Sequence, residues 1–131
     1  EAKKLAEADS VEIVFDDYDH DLWLKEVADG YETEPEKGRR CERCFRFNLG
    51  RAARYAAENG YDAFTTSLSV SPHKPSALVF AAGDEKSSDS VKFLREDFKK
   101  KEGFKISVKR ASELGLYRQG YCGCEFSRPP A

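Results

Sequence analysis

The chain has 131 residues, four cysteines and no methionine, and 22 basic against 24 acidic residues leave a net charge of −2 with both histidines neutral. That length fits one domain that can bury its own core without disulfides. Charged residues at 35% and apolar ones at 40% exclude a disordered chain. No apolar run reaches the roughly 20 residues of a membrane helix, and no global positive field advertises nucleic acid.

Residues 1–8 read as the tail of a helix, with Ala2, Leu5 and Ala6 on one side and no start signal before them. Together with the absent methionine, this leads us to expect that the natural start lies upstream of Glu1. The segment also lacks the apolar centre of a signal peptide, which points to the cytoplasm. Thiols stay reduced there, so clustered cysteines more often bind metal or do redox chemistry than form disulfides.

Val11-Glu12-Ile13-Val14-Phe15 predicts a strand that ends in the acidic turn Asp16-Asp17-Tyr18-Asp19. Asp19 is placed to cap a helix carrying Leu22, Trp23, Glu26 and Val27. A polar link from Asp29 to Gly38, with Pro35 inside it, follows. The longest predicted helix runs from about Cys41 to Asn59, with Phe45, Leu49, Ala52, Ala53, Ala56 and Ala57 on one face and Gly60 as its stop. Ala63-Phe64-Thr65-Thr66 predicts a short strand, and Ser67 to Pro75 a hydroxyl-rich loop. A helix from about Ser76 to Asp84, a strand Val91–Leu94, a lysine-rich loop and a helix near Ile106–Leu114 complete the order, ahead of a Gly- and Cys-containing tail. Alternating helix and strand argue for an α/β fold with a parallel sheet. Ligands of such sheets sit beyond the carboxyl ends of the strands.

Charge is uneven along the chain. Lys37, Arg39, Arg40, Arg43, Arg46, Arg51 and Arg54 cluster around the long helix, and Lys92 to Arg110 form a second basic block. Both read first as solvated helix faces, and alternatively as surfaces for a phosphate backbone.

Cys41-Glu42-Arg43-Cys44 is a CxxC at a helix start, and Cys122-Gly123-Cys124 is a CxC near the end of the chain. Two close pairs can converge into one four-thiolate site that suits zinc or an iron–sulfur cluster. A helix N-terminus and nearby arginines favour the thiolate form, and Gly123 permits a tight turn between the last two sulfurs. Redox thiols of the thioredoxin kind lack their βαβ context here. Three further segments can carry chemistry. Ser67, Ser69, Ser71, His73 and Lys74 follow a strand and can line a polar pocket, or form a plain loop. Tyr117, Arg118, Gln119 and Tyr121 can hold a base by stacking and hydrogen bonding, or belong to a docked tail. Asp16, Asp17 and Asp19 flank Tyr18 at a strand end, where carboxylates relay protons or cap a helix.

Four segments together resemble the QueH family of epoxyqueuosine reductases. They are Asp17-Tyr18-Asp19 with Trp23, Glu34 to Phe45 around the CxxC, Phe64 to Lys74, and Asp97 to Lys101 followed by Leu114 to Cys124. The resemblance covers nearly the whole chain in order, as a single domain. It implies a Rossmann-like, PP-loop-related α/β fold, a three-layer sandwich around a parallel sheet. It also implies an iron–sulfur oxidoreductase that reduces epoxyqueuosine to queuosine in the anticodon region of tRNA, fed by an electron donor. On the matching positions Cys41, Cys44, Cys122 and Cys124 are the cysteines of a [4Fe–4S] cluster with a further iron. Family members begin with a strand and an adjacent cysteine pair. Nothing before Lys3 supplies that motif, so the first strand is expected to be missing from this chain.

Opening an epoxide to an alkene takes up two electrons and two protons and releases water. Asp17, Tyr18, His73 and Tyr121 are the candidate proton donors for the departing oxygen. The Ser67–Lys74 loop and Tyr117 to Gln119 are the candidate substrate contacts. A zinc-stabilised RNA-binding module without catalysis is the competing reading.

Overall fold

In the computed structural model, residues 1–17, 19–119 and 122–127 are described. The first helix, α1, spans Ala2–Ala8. Helix α2, His20–Trp23, opens on Asp19, whose carboxylate accepts the Leu22 amide at 3.0 Å, the cap that the sequence predicts. The chain then widens into a π turn, Leu24–Ala28, closed by the Asp29 amide donating to the Leu24 carbonyl at 2.8 Å. Helix α3 runs Arg39–Glu58, strand β1 Ala63–Phe64, helix α4 Ser76–Lys86, strand β2 Lys92–Phe93 and helix α5 Gly103–Glu113.

The two strands pair in parallel, Ala63 with Lys92 and Phe64 with Phe93, and α4 forms the crossover between them. Mixed helix and strand around a small parallel sheet is the α/β class read from the sequence. α3 forms because Phe45, Leu49, Ala52 and Ala56 recur at helical spacing in an alanine-rich stretch. It ends at Asn59, whose side-chain amide donates to the Tyr55 carbonyl at 2.9 Å, before Gly60 turns the chain at φ 77°.

Two apolar clusters hold these elements. The first joins Phe45, Leu49 and Ala56 of α3 to Val79 and Ala82 of α4, with Phe64, Val91 and Phe93 from the strands and their approaches. Phe64 and Phe93 meet with ring centroids 5.3 Å apart. Each buried phenylalanine contributes about 2 kcal/mol of transfer free energy. The approach of Phe93 depends on Gly83 of α4, where an added Cβ would stand 2.3 Å from the ring. The second cluster is Trp23, Val27 and Ala28, with Cys44 and Phe47 of α3 and Cys124 and Phe126 of the tail packed on it.

One predicted element is absent. Residues 11–15 form no strand, and Val11, Val14 and Phe15 are exposed, Phe15 to 69%. Their alternation is strand-like, but a strand needs a paired strand, and among the described residues the backbone bond made there turns back, the Val11 amide donating to the Ala6 carbonyl at 2.9 Å. The segment is fixed at its end instead. Arg51 Nε donates to Asp16 at 2.6 Å and its Nη2 to the Asp17 carbonyl at 2.7 Å. The hydrogen bond from Arg51 holds the Asp16 carboxyl below its ordinary value. No helix among the described residues is long and apolar enough to cross a membrane.

Candidate functional site

Cys41 and Cys44 lie in the first turns of α3, and Cys122 and Cys124 on the tail. All four are free thiols, and all four line one cavity of about 310 Å³. The two motifs thus face one cavity, although among the described residues their side chains are not gathered into the four-thiolate group expected of them. Their approach is made by the second cluster. Phe126 stacks on Trp23 with centroids 6.2 Å apart and planes 14° from parallel. That stacking seats the tail against the α3 N-terminus. Gly123 stands at φ 94°, a left-handed conformation that a side chain would strain.

The sulfurs have polar partners. The Lys37 amide, in a residue itself at φ 72°, donates to Cys41 Sγ at 3.3 Å. Asn48, one turn beyond Cys44, donates its amide to Cys44 Sγ at 3.5 Å. Burial pushes the Cys44 thiol up from its ordinary value. A hydrogen bond from Trp23 pulls it down, the neighbouring Cys124 and Cys41 push it further up, and Lys74 opposes them. The helix start was expected to favour the thiolate, but at Cys44 desolvation outweighs it. Four soft donors on one cavity fit a thiolate-bound zinc or iron–sulfur group in kind. Among the described residues, no three Cys, His, Asp or Glu side chains are drawn together as a formed metal site.

Arg40 corrects its sequence reading. It was grouped with a surface basic cluster, yet it is 1% exposed. Its Nη1 donates to the carbonyls of Tyr31, Glu32 and Glu34 at 3.0, 3.3 and 2.6 Å, and its Nη2 reaches Ser127 Oγ at 3.5 Å. The guanidinium lies 5.3 Å over the Phe126 ring. Arg43 is engaged too, donating to the carbonyls of Val27 at 3.2 Å and of Glu26, over the Tyr31 ring. Both arginines fasten the 26–34 segment rather than present charge to solvent.

The hydroxyl loop divides. Lys74 lines the cysteine cavity, its Nζ 5.8 Å from the centre of the Phe45 ring. Ser69 is fully buried, donating to the Glu96 carbonyl at 2.7 Å and accepting the Phe98 amide at 3.2 Å. Its hydroxyl is thus engaged within the fold. Ser71 accepts the His73 amide at 3.2 Å in a local turn, and Ser67 precedes the short 3-10 turn Leu68–Val70. Ser67, Ser71 and His73 are not among the residues lining the cavity. Lys99 pins this loop from behind, with Nζ donating to the carbonyls of Ser69 and Lys74 at 2.7 and 2.6 Å and to Ser76 Oγ at 3.0 Å.

Asp17 lies along a neighbouring groove with Val14, Tyr55 and Phe64 rather than at the thiols. The Tyr117 amide donates to Glu1 at 2.7 Å, and the Arg118 guanidinium lies 5.8 Å from the centre of the Phe104 ring. The Gln119 amide stands beside Gly123. Tyr18 and Tyr121 lie outside the described residues.

Three cavity residues, His20, Asn48 and Glu125, escaped the sequence reading. His20 lines the wall, stacks 6.1 Å from Trp23 and places Nε2 3.0 Å from Glu125. Trp23, read as a position on the second helix and part of a segment that resembles the family, is also a wall of this cavity. Asn48 carried a signal, since it stands four residues after Cys44 on the same helix face.

The sequence model of the family described as "Epoxyqueuosine reductase QueH" matches residues 1–129. The chain is 39% identical to an epoxyqueuosine reductase QueH of Streptococcus pyogenes serotype M1, over 90% of this chain and 46% of that relative. It is 39% identical to the Thermotoga maritima protein of the same name, over 80% of this chain and 55% of the relative. With the Acinetobacter baylyi protein of that name it shares 35%, over 95% and 57% respectively. The chain thus spans about half the length of the curated relatives it matches.

Proposed function

The chain belongs to the epoxyqueuosine reductase QueH family, and on that premise we propose that it reduces the epoxide of epoxyqueuosine in tRNA to the alkene of queuosine. The observation that carries this reading is the meeting of the CxxC and CxC thiols on one cavity. Two electrons and two protons enter, both C–O bonds of the epoxide break, an alkene forms and water leaves. Cys41, Cys44, Cys122 and Cys124 would hold an iron–sulfur group, with a further iron beside it. That group supplies the single electrons that no side chain can, drawn from an external donor.

The chain's own residues do the rest. Trp23, Phe45 and Leu68 give the cavity apolar walls that exclude water from a bound base. Lys74 places a cation there, which steadies developing negative charge on the departing oxygen. His20 sets Nε2 3.0 Å from the Glu125 carboxylate on the same wall, a pair placed to relay a proton to the departing oxygen. These two groups stand at the thiols, whereas Asp17 and His73 do not.

Anaerobic purification followed by metal and sulfide analysis tests the reading. Brown protein with a charge-transfer absorbance, iron and inorganic sulfide is expected, and Cys41→Ser with Cys44→Ser should bleach it. Incubated with a chemical reductant, the brown form should convert epoxyqueuosine to queuosine in tRNA. Colourless protein carrying zinc, with intact epoxide after reduction, would replace this reading with the zinc-stabilised RNA-binding module.

A further inference from the structure

The face of α3 turned away from the cysteines carries a second surface. At 100° per residue, Cys41, Cys44, Phe45 and Asn48 share one side of the helix, while Arg46, Gly50 and Arg54 run along the opposite side. Lys86 from the end of α4 and Leu22 and Glu26 from the α2 region close this stripe into a groove of about 370 Å³. Its lining includes Arg43, Arg46, Arg51, Arg54 and Lys86 against the carboxylates of Glu26 and Glu85.

These cations differ in what already holds them. Arg43 is bound to backbone carbonyls and Arg51 to Asp16. Arg46 and Lys86 share the single carboxylate of Glu85 at 4.0 and 3.9 Å, and Arg54 forms no ion pair among the described residues. Arg46, Arg54 and Lys86 therefore leave net positive charge on the groove. Arg46 and Arg54 are about 12 Å apart along the helix axis, a span that takes alternate phosphates of one strand.

The floor between them is Gly50. Glycine in a helix interior is roughly 0.5–1 kcal/mol less favourable than alanine. Here an added Cβ would press on Lys86 Cε at 3.3 Å. The missing side chain makes room for the Lys86 stem to lie across the helix, which brings its ammonium in beside Arg46 and Arg54 on the groove.

We propose that this groove seats the phosphodiester backbone of the RNA substrate, on the face of α3 opposite the thiol cavity. The inference rests on the tRNA reading above and assigns it a surface. Dense local cations displace condensed counterions from RNA even on a chain of net negative charge.

Fluorescence anisotropy with an unmodified tRNA transcript, across a salt series, tests it on the 131-residue chain. Arg46→Gln with Arg54→Gln should weaken binding roughly tenfold or more near 0.1 M salt and lower the log–log salt slope by about two. Gly50→Leu keeps every charge on the chain but pushes Lys86 off the helix face, and should weaken binding. Lys3→Gln with Lys4→Gln on α1 removes the same charge elsewhere and should change little. Circular dichroism checks that each variant folds, and Arg54→Gln alone serves if the pair does not. Equal weakening by the α1 pair, or wild-type binding by the groove variants, overturns the groove while sparing the tRNA reading. Failure of the unaltered chain to bind tRNA overturns both.

Discussion

The guanidinium of Arg40 lies 5.3 Å over the ring of Phe126, joining the start of α3 to the cysteine-bearing tail. The same side chain satisfies three carbonyls of the link before α3. A buried cation in this position is an organiser of the thiol cavity, although it touches no thiol through a hydrogen bond. Arg40→Met should remove about 3 kcal/mol of stability, because it takes the donor from three part-buried carbonyls and unseats Phe126. Urea denaturation measures the loss. Alkylation of Cys124 should accelerate at the same time, and an unchanged rate would separate Arg40 from the tail.

Cys44 gives the metal-free chain a pH dependence with a defined sign. Its folded thiol titrates above the ordinary value of 9.0, chiefly through burial. Below that value both states hold the proton, and the group does not vary stability. As pH rises through it, the unfolded chain releases the proton first, so unfolding is favoured increasingly until the folded thiol also ionises. The urea midpoint should therefore fall between pH 8 and 10, and Cys44→Ala should flatten that decline. A decline of the same slope in the variant would assign it to other groups.

Lys99 donates to three oxygens behind the loop that carries Lys74. Lys99→Met keeps the stem and leaves those acceptors without their donor, a loss of about 2 kcal/mol. Hydrogen exchange should rise across residues 67–76 before it rises in α3. Uniform loosening of the whole chain would contradict a local pin.

At Gly83, the limit is space rather than backbone conformation. A methyl group there would overlap the Phe93 ring at 2.3 Å. Gly83→Ala should cost about 2–3 kcal/mol through overpacking. Pairing it with Phe93→Leu should recover part of the loss in the melting temperature.

Much of the architecture was legible where local pattern decides. Helical spacing placed α3, α4 and α5 to within a few residues, and the Gly60 stop and Asp19 cap were read from single side chains. Apolar β-like runs located both strands of the sheet. Residues 11–15 have the right alternation but pair with no strand among the described residues, and alternation cannot report a partner. The meeting of the two cysteine motifs was legible from thiolate chemistry, whereas the means of it was not. Trp23, Phe126 and Arg40 come together from three distant stretches, and composition cannot distinguish a buried arginine from one in water. The same blindness merged Arg40 and Arg43, which fasten the fold, with Arg46 and Arg54, which line an open groove.

The segment between α2 and α3 is polar and contains a proline, the composition of a flexible joint. Arg40 and Arg43 clasp it from the helix that follows, through carbonyls from Glu26 to Glu34. Cys44 and Phe47 of that helix also belong to the packing around Trp23. The consequence is mechanical. With its backbone held on both sides, the link should not act as a hinge between the two apolar clusters, so they should melt as one cooperative unit and trypsin should cut slowly after Lys37, exposed though it is.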